Sequence, residues 1–219
     1  RPLTAPMLSQ SNLMNPFLIP NLWKRVGSID ATTLNFETAM QQNEFNLLIY
    51  PEGVPGIGKG YSRRYQLQRL STSALRMSLK YKTDIVPVAT VNGEFINPYH
   101  YSNGVVNKLI NKIGIPFLPL GPLTLMLLLQ PWLFYYACPA KLTYVRGRRI
   151  KPYEMVDKPF KDMSPGDFAR LRDQLHGIMQ QQLDKAIADY GQKPYRFKEL
   201  LKTMWKNRKF FPYTVPVGW

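Results

Sequence analysis

The residues best placed to do chemistry gather in one stretch, Leu47-Leu48-Ile49-Tyr50-Pro51-Glu52-Gly53-Val54-Pro55-Gly56-Ile57-Gly58-Lys59-Gly60. Gly53, Gly58 and Lys59 fit the Gly-x-x-x-x-Gly-Lys spacing of a loop that cradles phosphates with its backbone amides and one lysine. That reading needs Ser or Thr at the next position to hold magnesium, and the position is Gly60. Pro51 and Pro55 also remove amide donors from a loop that binds through amides. No second acidic strand is visible for the metal, so a nucleotide triphosphatase is disfavoured.

Other chemistry is thinly supplied. The histidines are His100 and His176, far apart, and Cys138 is the lone cysteine. An internal disulfide and a Cys-rich zinc site are excluded, and no metal is expected. A reducing, cytoplasm-facing environment is the simplest reading. The net charge of +15, from 29 Lys+Arg against 14 Asp+Glu, calls for an anionic partner: nucleic acid, lipid headgroups or a phosphorylated small molecule. With 45% hydrophobic residues the composition is globular. The chain opens on Arg1 with no secretion-signal pattern, so it is expected to start inside a larger protein.

The elements that must position this loop alternate. A short helix is expected from Leu34 to Asn43, then an apolar strand, Phe45 to Tyr50, stopped by Pro51. Leu67, Leu70, Ala74, Leu75 and Leu79 recur at helical spacing, predicting a helix from Tyr65 to Tyr81. Asp84 to Val91 reads as a strand in which Pro87 marks an edge or a bulge. Strand, helix and strand in this order predict an α/β fold, a mixed central sheet flanked by helices. Residues 1–25 read as loop with short helical turns, and Leu142 to Val145 as a return strand. Ser164-Pro165-Gly166-Asp167 opens a helix whose apolar face is Phe168, Leu171, Leu175, Ile178, Met179, Leu183 and Ile187, ending at Gly191.

Between Lys112 and Lys141 no residue is charged, yet Pro116, Pro119, Pro122, Pro131 and Pro139 would break a spanning helix. A shallow interfacial hairpin in contact with a membrane is expected, with a buried core segment as the alternative. The chain divides into a main domain, 1–192, and a basic, aromatic tail, 193–219. In that tail Lys193, Arg196, Lys198, Lys202, Lys206, Arg208 and Lys209 interleave with Tyr195, Phe197 and Trp205. Such a tail suits nucleic acid, an anionic membrane surface or a plainly solvated helix face.

One further reading uses more of these residues. Ile49-Tyr50-Pro51-Glu52-Gly53, followed a helix later by Ile85-Val86-Pro87-Val88, resembles the third and fourth signatures of the glycerolipid acyltransferase family. Val26-Gly27-Ser28-Ile29-Asp30-Ala31-Thr32 stands where the second signature belongs, without its closing arginine. The resemblance covers roughly Val26 to Asn97. It implies acyl transfer from an acyl thioester, coenzyme A or acyl carrier protein, to a lysophospholipid or related glycerolipid. No cofactor is implied beyond that co-substrate. Glu52 and Gly53 would line the acceptor pocket. Lys59, Arg63, Arg64 and Arg69 would replace the arginine that the family often carries after the Gly, a guanidinium fork being suited to phosphate. Pro87 and Val88 would shape the acyl channel.

The family's first signature, His-x-x-x-x-Asp, supplies its general base and is missing. Five residues after His100 is Val105, and five after His176 is Gln181. No catalytic residue is therefore assigned in this chain. Either the pair lies upstream of Arg1 or the chain is a non-catalytic relative. The expected protein is membrane-associated, monotopic or peripheral, on the cytoplasmic face, with anionic lipid and not nucleic acid as partner. A membrane-surface lipid-binding scaffold on the same fold is the alternative function.

Overall fold

The opening residues have no hydrophobic periodicity, yet they pair as a strand. The structure is a computed structural model that describes residues 1–6, 22–112, 120–122 and 138–210. Strand β1 (Leu3–Thr4) runs parallel to β2 (Ile29–Asp30). On its other side the Leu3 amide donates to the Leu48 carbonyl and the Leu48 amide to the Arg1 carbonyl, both at 2.9 Å. The strand expected over 45–50 is thus reduced to one parallel bridge at Leu48. Helix α1 (Thr33–Gln42) starts where Thr32 accepts from the Asn35 amide at 3.2 Å and ends at Asn43 in the left-handed region.

The helix expected from Tyr65 forms only as α2 (Ser73–Tyr81). Groups from elsewhere take partners that a helix would need: Gln180 and Lys59 donate to the Tyr65 and Gln66 carbonyls, and the Ser71 amide turns to the Pro51 carbonyl. Glu94 accepts from the Tyr65 amide at 2.9 Å, Gln180 from Leu67 at 2.8 Å and Glu52 from Gln68 at 2.8 Å. Tyr65 itself has φ +63°, which a helix does not admit. Where α2 does form, it buries Ala74, Leu75, Met77, Ser78 and Leu79.

Strand β3 (Val88–Val91) pairs antiparallel with β4 (Thr143–Arg146), so the return strand is present. The ladder resumes at Ile85–Ile150. Three residue steps from Val88 back to Ile85 face four from Arg146 to Ile150, which is a β-bulge. Pro87 lies in that gap. It cannot donate, but its carbonyl accepts from the Gly147 amide at 2.8 Å. A Cβ at Gly147 would sit 1.9 Å from the Gln182 side-chain oxygen, so Gln182, which accepts from the Arg148 amide, would have to move.

Helix α3 (Gly104–Asn111) is capped by Asn103, which accepts from the Val105 and Val106 amides. Helix α4 (Pro165–Tyr190) carries the full capping box of Ser164 and Asp167 and buries Phe168, Leu171, Leu175, Leu183 and Ala186. Helix α5 (Phe197–Lys206) buries none of its residues. Two core clusters result. Leu70, Leu75, Leu79, Ile150, Phe168, Leu171 and Leu175 form the larger. Leu3, Phe36 and Met77 form the smaller, flanked by Ile29, Leu47 and Ile49. Helix α2 supplies residues to both and so joins them.

The described residues thus combine helices with two small two-stranded sheets; a single central sheet is not among them. Of the apolar stretch between Lys112 and Lys141, only 120–122 and 138–140 are described, so the expected interfacial hairpin lies outside the described residues. Among the described residues no helix is long and apolar enough to cross a membrane.

Candidate functional site

The Pro-Glu-Gly corner follows directly from the Leu48 bridge. The Gly53 amide donates to the Tyr50 carbonyl at 3.0 Å, closing a turn. Gly53 takes φ +59°, where its missing Cβ removes the strain. The chain then makes a single helical turn, Val54–Ile57. Gly56 is forced by packing, since a Cβ there would lie 2.6 Å from that of Glu52. The corner is fastened to the next segment twice. Glu52 accepts from the Gln68 amide, and the Pro51 carbonyl accepts from the Ser71 amide at 2.7 Å. Glu52 therefore does what a strand-end carboxylate does, capping an amide. In doing so it holds the chain beside Arg69.

Lys59 differs from the three arginines. Its side chain is 9% exposed, and its ammonium pairs with Glu94 at 3.0 Å while donating to the Gln66 carbonyl at 2.8 Å. Arg63, Arg64 and Arg69 are exposed and form no ion pair among the described residues; Arg64 lies over the Tyr61 ring, 5.1 Å from its centroid. The four candidate cations thus separate into one buried structural charge and three surface guanidinium groups on the segment that Glu52 clamps. Pro87 is buried and Val88 is 54% exposed, both on the bulged ladder.

Several residues of this neighbourhood gave no signal in the sequence. Glu94 accepts from both Lys59 and the Tyr65 amide. Asn92, 1% exposed and at φ +68°, accepts from the Tyr65 hydroxyl and donates to the Lys141 carbonyl at 3.1 Å. Gln180 of α4 grips the loop with both ends of its amide, donating to the Tyr65 carbonyl at 2.9 Å and accepting from Leu67. Tyr61, Tyr65, Tyr99 and Tyr195 surround or neighbour Phe95, with ring centroids 5.2–6.1 Å apart. Burial, first, and then Glu94 raise the Tyr65 phenol above its ordinary range, so it stays a donor.

The two histidines differ in how they are held. Both ring nitrogens of His100 face backbone carbonyls, Nδ1 that of Asn97 at 2.6 Å and Nε2 that of Lys59 at 2.8 Å. The His176 Nε2 faces the Leu67 carbonyl at 3.2 Å. The His100 ring, engaged at both nitrogens, orients a loop and leaves no lone pair directed at a substrate. Among the described residues no group of His, Cys, Asp or Glu is arranged to hold a metal. An open hollow of about 450 Å³ on α4, lined by Met155, Asp173, Gln174, Gly177, Ile178 and Gln181, shares no residue with the candidate set.

Comparison with models of known protein families gives no match. The chain is similar to an uncharacterized protein of Mycobacterium tuberculosis, 30% identical over 101 residues, which is 46% of this chain and 27% of that protein. An uncharacterized protein of Mycobacterium leprae is 36% identical over 76 residues, 34% of this chain and 20% of its own length. The chain therefore matches well under half the length of these curated relatives. No solved structure matches.

Proposed function

We propose that this chain is the acceptor-binding part of a glycerolipid O-acyltransferase, moving a fatty acyl group from a coenzyme A or acyl carrier protein thioester to a lysophospholipid hydroxyl. The observation that carries this reading is the order Tyr50-Pro51-Glu52-Gly53, helix, Val86-Pro87-Val88, with the Pro-Glu-Gly corner fastened to an arginine-bearing segment. In the reaction a base takes the hydroxyl proton as the acceptor oxygen bonds to the thioester carbonyl carbon, the C–S bond breaks, and the base returns the proton to the departing thiolate, which leaves as the thiol. That base is assigned to a His-x-x-x-x-Asp pair outside these 219 residues. Within the chain, Glu52 and Gly53 shape the acceptor end. Arg63, Arg64 and Arg69 meet its phosphate with forked donors. Lys59, neutralised by Glu94, sets the course of the loop. Pro87 and Val88 line the acyl path. The finer fold, a mixed sheet with an interfacial apolar segment on the cytoplasmic membrane face, belongs to the same proposal.

A second reading, a lipid-binding scaffold without chemistry, draws on the engaged ring nitrogens of His100. The two are separated by assaying the full-length protein in detergent with labelled acyl thioesters and a panel of lysolipids. Turnover that Glu52→Ala abolishes supports the transferase. Lipid binding without turnover for any pair supports the scaffold.

A further inference from the structure

Helix α5 leaves an apolar face in water. Phe197 is 58% exposed, Leu201 64%, Met204 36% and Trp205 70%. With Leu200 they fall at the i, i+3, i+4, i+7, i+8 spacing, filling an arc of about 140° at 3.6 residues per turn. Lys198, Lys202 and Lys206 form a separate row beside the Trp205 edge and make no ion pair among the described residues. The single acid of α5, Glu199, sits on the far side and is held by Lys141 at 3.1 Å and Arg196 at 2.9 Å. Those two cations, Arg196 first, keep its carboxyl below the usual range, so it stays charged and occupied. Arg208 caps the row, its guanidinium 5.0 Å from the Trp205 ring centroid.

We infer that α5 lies flat in the interface of an anionic lipid bilayer, with Phe197, Leu201, Met204 and Trp205 below the headgroups and the lysine row on lipid phosphates. Two observations fix the occupant. The charge is complementary to anionic lipid: the segment from Lys193 to Lys209 has seven Lys or Arg and one acid. The helix is also tied to the end of the uncharged stretch, through the Ala140–Tyr195 bridge, the Lys141 amide on the Pro194 carbonyl at 2.8 Å and the Lys141–Glu199 pair. The helix is thus joined to residues 138–140, the described end of that stretch. Nucleic acid would engage the lysines but leave Phe197, Leu201 and Met204 in water. A second copy would set like rows of lysine together on a chain of net charge +15.

This deepens the membrane-association part of the proposed function and does not depend on acyl transfer. The test uses the full chain and vesicles of phosphatidylcholine, alone or with phosphatidylglycerol, each with and without brominated acyl chains. The Trp205 signal is the difference between the protein and Trp205→Phe. Quenching of that signal is expected on the anionic vesicles only, and it should fade with salt. The triple change Lys198→Glu, Lys202→Glu and Lys206→Glu should weaken binding by about a hundredfold or more, given the contribution of each basic residue near such a surface. Leu201→Glu should remove the quenching without altering circular dichroism, because no α5 residue is buried. Three results overturn the inference: no association with vesicles, association with Trp205 unquenched, or a Leu201→Glu effect confined to sedimentation mass. A response to duplex DNA in place of vesicles would also overturn it. None of these outcomes bears on turnover by the full-length protein.

Discussion

Glu52 and Lys59 sit seven residues apart and hold the same loop by different means, so their substitutions should differ in kind. Glu52 acts on the Gln68 amide through one oxygen, and an amide oxygen can replace it. Glu52→Gln is therefore expected to keep the loop ordered. Glu52→Ala strands a partly buried donor at a cost of about 1–3 kcal/mol. Hydrogen exchange at Gln68 checks this, and slow exchange in Glu52→Ala would refute the clamp. Comparing the two variants in the transfer assay then separates the charge from the hydrogen bond. Lys59→Met leaves Glu94 largely buried without its cation, for which about 3–5 kcal/mol of lost stability is expected. Adding Glu94→Gln should restore much of that loss, as read by urea unfolding. A double variant no better than the single would mean the pair is not coupled.

At the scale of elements, α2 is the piece whose loss should be felt everywhere, because it feeds both core clusters. Leu75, 1% exposed, is its deepest side chain. Leu75→Ala is expected to cost about 2–5 kcal/mol and to lower the thermal midpoint in a single transition. The start of α4 carries a pH-dependent contribution. The Ser164 amide and hydroxyl, then Lys158 and Arg170, hold the Asp167 carboxyl well below the usual carboxylate range. A depressed carboxyl stabilises the fold fully above its unfolded value, and the contribution disappears as pH falls through the folded one. Stability measured from neutral into acidic pH should therefore decline less steeply in Asp167→Asn than in the parent. Parallel curves would exclude Asp167 as the source.

For the whole molecule, the prediction concerns what the 219 residues do alone. They contain an acceptor corner, arginines and a lipid-facing helix on the proposed reading, but both histidines are turned to carbonyls. The chain by itself is expected to bind anionic vesicles and to turn over no acyl thioester. Measurable transfer by these residues alone would contradict the assignment of the base elsewhere.

What the sequence determined by itself was whatever depends on near neighbours along the chain. Thr33–Gln42 and the C-terminal half of the helix expected over 65–81 follow from local periodicity. The Ser164 cap and the long face of α4 were legible because capping and the 3.6-residue repeat act within a few residues. Pro87 announced the bulge because a residue without a donor cannot sit in a regular ladder. The tertiary structure alone decided the rest. Leu67 and Leu70 continue the helical period, yet the backbone there is not helical, because Gln180, Lys59 and Pro51 take the Tyr65 carbonyl, the Gln66 carbonyl and the Ser71 amide that a helix would use. Nothing near Lys59 in the sequence announced Glu94 as its partner. A carboxylate or amide that reaches across the fold leaves no mark on local pattern, since its energy comes from a contact that exists only once the chain is folded.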